Sequence, residues 1–349
     1  MSSSRILKTR LLDDIDEAAH LLRTGRLVAF PTETVFGLGA DARDASAIER
    51  LFVAKGRPSD NPLIVHLANR AAWPLAASTL PPLAEEILKC FAPGPVTVVI
   101  PKNNAICPRV TAGLETVGIR IPAAAVTQRL LAAAAIPIAA PSANLSGRPS
   151  GTTWQSVLED LDGRIDGILC MQVEHVGLES TVIDCCGTVP VVLRLGGVGL
   201  TVLRAAFPAV RLLGEGQMTE LPESFVAKST SSVIAEAQLV NAPGLLHPHY
   251  QPRAQVRLLD AVWAWSRDQD ERQKIFAYAG LAAPPAGVEL SQQYTSWEDF
   301  AREFYEFLRV ADRAQADVVL IQAVTSADAA QSGIAAALRD RQQRAAGRL

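Results

Sequence analysis

Short apolar runs alternate with amphipathic stretches of helical length from residue 13 to about residue 200, and nothing else in the chain restricts its fold as much. Runs at 27–30, 63–67, 96–100, 117–121, 137–140, 166–171, 180–184 and 191–195 have strand length. Stretches at 13–24, 46–55, 82–90, 125–134 and 152–161 have helical period. The first of these carries acidic residues in its opening turn and stops at Gly25. Ser46-Ala-Ile-Glu49 reads as a capping box for the second, which Pro58 cannot continue. Between about 165 and 195 strands follow one another directly. That departure from strict alternation predicts an α/β fold with a twisted mixed sheet, not a purely parallel one.

Beyond Gly197 the periodicity weakens. Residues 208–255 are broken by glycine and proline and end in APGLLHPHYQPRAQ, too long for an unstructured loop inside a compact domain. The stretch therefore reads as a linker or a lid. A second alternation follows, with strands at 256–259, 274–279 and 318–322 and helices at 297–312 and 328–344. It predicts a smaller, Rossmann-like α/β domain. The expected division is 10–207, 208–255 and 256–349. A length of 349 residues, with 49% hydrophobic and 20% charged, supports two such cores.

Composition excludes several classes of function. A net charge of −3 gives no general affinity for nucleic acid, and Lys102, Arg109 and Arg129 form no dense basic run. The five cysteines contain no C-x-x-C pair, which argues against structural zinc and a disulfide framework. The N-terminus lacks the apolar core of a signal peptide, and the apolar stretch 132–140 is too short to span a bilayer. A soluble, cytoplasmic protein is expected. There is no G-x-x-x-x-G-K-[ST] and no G-x-S-x-G, and Gly196-Gly-Val-Gly199 lacks the third glycine of a dinucleotide fingerprint. His247 and His249 are metal candidates by type, but they stand beside prolines with no carboxylate nearby, so no metal site is assigned.

What remains is a set of polar groups at strand and helix ends. Lys55-Gly-Arg57-Pro58 places two cations around a helix terminus. Pro141-Ser142-Ala143-Asn144 places a hydroxyl and an amide on a turn after an apolar run. Arg120 and Arg194 lie in otherwise apolar strands, where a buried guanidinium needs an anion. Ser180 and Thr181, beside Glu179, add hydroxyls. Brought together by folding, these groups make a polyanion site drawn from separate strands, suited to a nucleoside triphosphate.

The runs PTETVFGLGA, KGRPSDNPLIVHL, APGPVTVVIP, VGIRIP, PIAAPSANLSG, ESTVID and VVLRLGGV, in this order, resemble the YrdC-like domain of the threonylcarbamoyl-AMP synthases. The resemblance spans roughly residues 10–200. The tail is similar to the two-domain branch of that family, with a linker motif read here as His249-Tyr250-Gln251-Pro252. The resemblance implies that L-threonine, bicarbonate and ATP, with magnesium, give L-threonylcarbamoyladenylate and pyrophosphate. Other proteins, a threonylcarbamoyl-transfer complex, then modify an adenosine next to the anticodon of tRNA. It implies that Lys55 and Arg57 are catalytic and hold ATP phosphates, with Asn61, Thr116, Ser142, Asn144, Ser150 and Arg194 completing the nucleotide site and Tyr250 covering it as a lid. Thr34, His66, Arg120, Ala140 and Ser180 would line the threonine pocket, Arg120 facing the substrate carboxylate. Phe36 replaces the family's usual tyrosine and Gln251 its usual alanine. Two other functions compete: a carbamoyltransferase with a similar domain, against which the missing C-x-x-C pairs count, and an RNA-binding module, against which the charge counts.

Overall fold

The computed structural model describes residues 8–213, 250–260 and 262–348. Strands β1 (Arg10–Leu12), β2 (Val28–Phe30), β3 (Gly37–Asp41), β4 (Ile64–His66), β5 (Val96–Pro101) and β6 (Thr116–Arg120) form the first part of one large sheet. Strands β7 (Ile138–Ala139), β8 (Gly167–Leu169), β9 (Thr181–Asp184), β10 (Val191–Arg194) and β11 (Arg211–Leu212) complete it. The order across the 11-stranded sheet is β1-β8-β2-β3-β7-β4-β6-β5-β9-β10-β11. Parallel pairs (β4 with β6, β5 with β9) sit beside antiparallel ones (β5 with β6, β9 with β10), so the sheet is mixed, as expected. β11 runs parallel to β10 and carries this sheet past residue 207.

The helices of this region are α1 (Ile15–Arg23), α2 (Ala45–Lys55), α3 (Pro82–Phe91), α4 (Ala125–Ala134), α5 (Trp154–Leu161) and α6 (Leu200–Ala206). α1 buries Ile15, Ala18, Ala19 and Leu22, one stripe at helical spacing. The start of α2 differs from the sequence expectation. Asp44 is the N-cap, accepting from the amides of Ser46 at 2.8 Å and Ala47 at 3.1 Å, so the helix begins before the expected Ser46 box.

β3 carries no strand signal in its sequence, GLGAD, which has two glycines and no alternation. Its glycines make room for neighbours: a Cβ on Gly39 would lie 2.8 Å from the Phe30 ring and 3.0 Å from the Ile138 side chain. α6 likewise lies where helical period had faded.

The second domain holds β12 (Gln255–Leu259), β13 (Phe276–Gly280), β14 (Leu290–Gln293) and β15 (Val318–Gln322), all parallel, in the order β12-β15-β13-β14. α7 (Trp297–Arg313) buries Phe300, Phe304, Leu308 and Ala311 in the core of this domain. The expected helix at 328–344 is two helices, α8 (Ser326–Gln331) and α9 (Gly333–Ala345), with extended Ser332 ending one and capping the next. The break lies where the two domains meet closely: a Cβ on Gly333 would be 2.2 Å from the Gly199 Cα. Gly177 makes a similar approach to α7, where a Cβ would be 2.4 Å from the Arg302 Cα. Residues 214–249 of the expected linker, with His247 and His249, lie outside the described residues. Among the described residues no helix is long and apolar enough to cross a membrane.

Candidate active site

A cleft opens where β4, β6 and β10 end, against the turn at 141–144. Parallel pairing sets His66 beside Arg120, each the last residue of its strand, so both side chains stand at one end of the sheet. Arg120 is held through three of its five N–H donors. Its Nη2 donates to Glu33 Oε1 at 2.7 Å and its Nη1 to Thr34 Oγ1 at 2.9 Å, while its Nε lies 3.4 Å from the Gly94 carbonyl. Thr34 in turn pairs with the Thr32 hydroxyl at 2.8 Å. Burial, reinforced by the Arg120 charge, pushes the His66 imidazole down to about 3, so it is neutral at physiological pH.

On the next strands, Ser180 Oγ pairs with Thr97 Oγ1 at 2.8 Å. Arg194, the last residue of β10, donates through Nη2 to the Ser180 carbonyl at 2.8 Å. Ala140 is held by its amide, which donates to the Ile64 carbonyl at 2.9 Å, and presents only a methyl and backbone to the cleft. These groups define a small polar end of the cleft.

A further wall is the turn at 141–144. It is fixed to β3 by a bridge between Ser142 and Gly37, and by the Ala143 amide donating to the Phe36 carbonyl at 2.7 Å. Asn144 donates through Nδ2 to the carbonyls of Leu145 at 2.8 Å and Arg148 at 3.0 Å. Its Oδ1 is buried without a partner among the described residues, an acceptor that a ligand donor can satisfy. Arg57 lines the cleft with its Nε donating to the Asn61 carbonyl at 3.1 Å and Nη2 to the Pro62 carbonyl at 2.9 Å. Burial pushes its guanidinium down to about 10, partly offset by Tyr250 and reinforced by Arg194, and it stays charged at neutral pH.

Of the expected residues, Thr34, Arg57, His66, Arg120, Ala140, Ser142, Asn144, Ser150, Ser180, Arg194 and Tyr250 line this cleft. Lys55, Asn61 and Thr116 do not. Lys55 is 2% exposed, and its ammonium donates to the carbonyls of Ser142, at 2.6 Å, and of Asn144. It braces the turn. Asn61 offers its carbonyl to Arg57, and Thr116 begins β6 where Arg120 ends it, roughly 13 Å away at strand rise.

One carboxylate that lines the cleft, Glu179, and one behind Arg120, Glu33, were not singled out by sequence, although each neighbours a residue that was. Glu33 precedes Thr34 and pairs with Arg120. Glu179 precedes Ser180 and accepts from Ser150 Oγ at 2.8 Å. Burial pushes the Glu179 carboxyl up, but the charges of Arg341 and Arg194 and the Ser150 hydrogen bond outweigh it and hold the group at about 2. Among the described residues no three His, Cys, Asp or Glu side chains group to hold a metal.

Comparison with known proteins gives two family models end to end. The model described as telomere recombination matches residues 20–196, and the one described as threonylcarbamoyl-AMP synthase, C-terminal domain, matches residues 213–347. The threonylcarbamoyl-AMP synthase of Pyrococcus abyssi is 37% identical over 341 residues, covering 95% of this chain and 93% of that protein. The Bacillus subtilis enzyme of the same name is 42% identical over 248 residues, covering 70% of this chain and 66% of its own length. The crystal structure of P. abyssi Sua5 complexed with L-threonine superposes with a TM-score of 0.81 at 33% identity, covering 97% of this chain and 98% of that one. Agreement over both domains, in sequence and in fold, shows that the chain belongs to the threonylcarbamoyl-AMP synthase family.

Proposed function

We propose that the cleft joins L-threonine, bicarbonate and ATP into L-threonylcarbamoyladenylate, releasing pyrophosphate. The observation that carries this assignment is the meeting, in one cleft, of a small polar pocket and two arginines from other elements, Arg194 buried and Arg57 half-buried. Thr34, His66, Arg120, Ala140 and Ser180 make the pocket; Arg57 and Arg194 make the cationic wall. The polar pocket suits a small hydroxy amino acid: Arg120 is the anion partner, the hydroxyls of Thr34 and Ser180 are donors or acceptors, and neutral His66 brings no second charge. The amine takes up the carbon of bicarbonate with loss of water, forming a carbamate. A carbamate oxygen then bonds to the α-phosphorus of ATP as the bond to pyrophosphate breaks. Such a transfer depends on alignment and on neutralising phosphate charge, which Arg57 and Arg194 provide, and no covalent enzyme intermediate is needed.

Within this scheme Ser142, Asn144 and Ser150 bind the nucleotide from the turn side. Lys55 acts by holding the turn in place. Tyr250 closes the cleft wall and limits water at a labile mixed anhydride. Magnesium arrives with the phosphates of ATP and adds charge neutralisation. Downstream, the threonylcarbamoyl group passes to an adenosine next to the anticodon of tRNA through a separate transfer complex. The test is pyrophosphate release by the purified full chain with ATP and magnesium, varying the other substrates. Release that requires threonine and bicarbonate together is expected. Release that is indifferent to either one refutes the assignment.

A further inference from the structure

The cleft is not walled by the first domain alone. Glu179 sits in it, yet the groups that hold Glu179 come largely from the second domain. Tyr305, on α7, donates its hydroxyl to both carboxylate oxygens, at 2.9 and 3.1 Å. Arg341, on α9, donates through Nε to Glu179 Oε2 at 3.0 Å and through Nη2 to the Leu195 carbonyl, next to Arg194, at 2.8 Å. Tyr250 completes the cluster. Its ring stacks on Tyr305 with centroids 5.0 Å apart, and the Arg341 guanidinium lies 5.5 Å from its centre. One turn further along α7, Arg309 donates to the carbonyl of Pro149 at 2.5 Å and to Asp160 Oδ2 at 2.8 Å. Ser150, which bonds Glu179, is thereby held through its neighbour as well.

A carboxylate in a cleft that must take a triphosphate is an electrostatic liability. Its charge repels the ligand unless a fixed cation cancels it. Arg194 and Arg341 both contribute, but Arg194 belongs to the cationic wall that meets the phosphates, so its field is needed there. We infer that Arg341 and Tyr305 are positioning residues of the second domain which neutralise and orient Glu179, so that the cleft presents net positive charge to the triphosphate of ATP. The second domain on this account is part of the nucleotide site. The inference rests on the synthase reading for its substrate, and Glu179 on this account is an anchor, not a base. The depressed carboxyl of Glu179 agrees: a group so acidic is a poor proton acceptor at neutral pH.

The experiment uses the full chain and compares wild type with Arg341→Met, Arg341→Lys, Tyr305→Phe and the double variant Arg341→Met with Glu179→Gln. Michaelis constants for ATP and for threonine are measured by pyrophosphate release, and ATP binding is measured directly by calorimetry. Arg341→Met is expected to raise the KM for ATP by about tenfold, the effect of one uncancelled charge roughly 10 Å from a phosphate at an effective dielectric of about 20. The KM for threonine should stay within about twofold, and Arg341→Lys should recover part of the loss. Adding Glu179→Gln should bring the ATP constant back towards wild type, because the charge needing cancellation is gone. Tyr305→Phe, which removes only a hydroxyl, keeps the test available if Arg341→Met fails to fold; it should weaken ATP and spare threonine.

An unchanged ATP constant in the folded Arg341→Met protein overturns the inference. So does a double variant as impaired as the single one, or an equal rise in both constants, which is what a merely structural role would give. The two readings fail separately. A wild type without threonine-dependent release refutes the synthase assignment, while the calorimetric comparison of ATP affinity still decides the role of Arg341.

Discussion

Replacing Lys55 by methionine separates two roles that a basic residue beside a nucleotide cleft can have. The ammonium is buried, and its bonds run to the carbonyls of Ser142 and Asn144. Each such charge-assisted bond contributes ~1.5–3 kcal/mol. The removal also relieves the desolvation of a buried cation, which, with the charge of Arg57, already pulls the Lys55 amine well below the usual lysine range. The two effects oppose each other, and leaving two buried carbonyls short of donors decides the sign: the net loss should be about 2–4 kcal/mol. Urea unfolding of the full chain gives this number. The Michaelis constants for ATP and threonine should rise together, because the braced turn also bridges to Gly37 in β3, next to the threonine end of the cleft. A variant with stability within about 0.5 kcal/mol of wild type and a raised constant for ATP alone would refute the brace and return Lys55 to the phosphates.

Asp160→Asn should be severe although Asp160 does not line the cleft. The carboxylate is completely buried, and it holds Arg309 of α7 and Arg148 of the turn region at once. Removing its charge strands buried guanidinium and should cost ~3–5 kcal/mol, seen as a melting temperature lowered by more than about 5 °C; a shift of under a degree would refute the pairing. Acid should weaken the fold through His66. Its imidazole sits at about 3 in the native state against an ordinary 6.5, so below pH 6.5 the unfolded chain takes up a proton that the native chain refuses. Stability is therefore complete above pH 6.5 and falls towards pH 3, by about 2 kcal/mol at pH 5. Comparing wild type with His66→Asn by urea unfolding at pH 7 and pH 5 isolates this part. A difference between the two proteins that is independent of pH would sink the argument.

How far the sequence could be read follows from where each signal lies. Arg120 and Arg194 are conspicuous because a charge within an apolar strand asks for a partner, and the structure brings both to the same end of one sheet. The helix at 125–134 and the strand at 318–322 agree with the structure to the residue, since continuous periodicity marks their ends. β3 escaped because its glycines answer to the Phe30 ring across the sheet, a requirement of packing and not of local preference. The partners of Lys55 lie 87 and 89 residues away, so its position was legible and its occupation was not. Arg341 reaches Glu179 across 162 residues, and nothing near either in sequence signals the other. The family resemblance pointed to many of the residues that line the cleft, but also to Lys55, Asn61 and Thr116, which do not, and it carried no information about which side chains of the second domain would touch them.

Gly199 and Gly333 meet with no room for a side chain on either, and Gly177 does the same against α7. Each domain is thus a mould of the other at the level of the main chain. A designer who grafts the second domain of a relative onto this first domain must carry across the small residues at both surfaces, together with the charged pair formed by Glu179 and Arg341. Exchanged singly, the halves would meet as a wedge and an unanswered charge. Exchanged as matched sets of contacts, they could be recombined, and the unit of modularity here is the seam between the domains, not either domain.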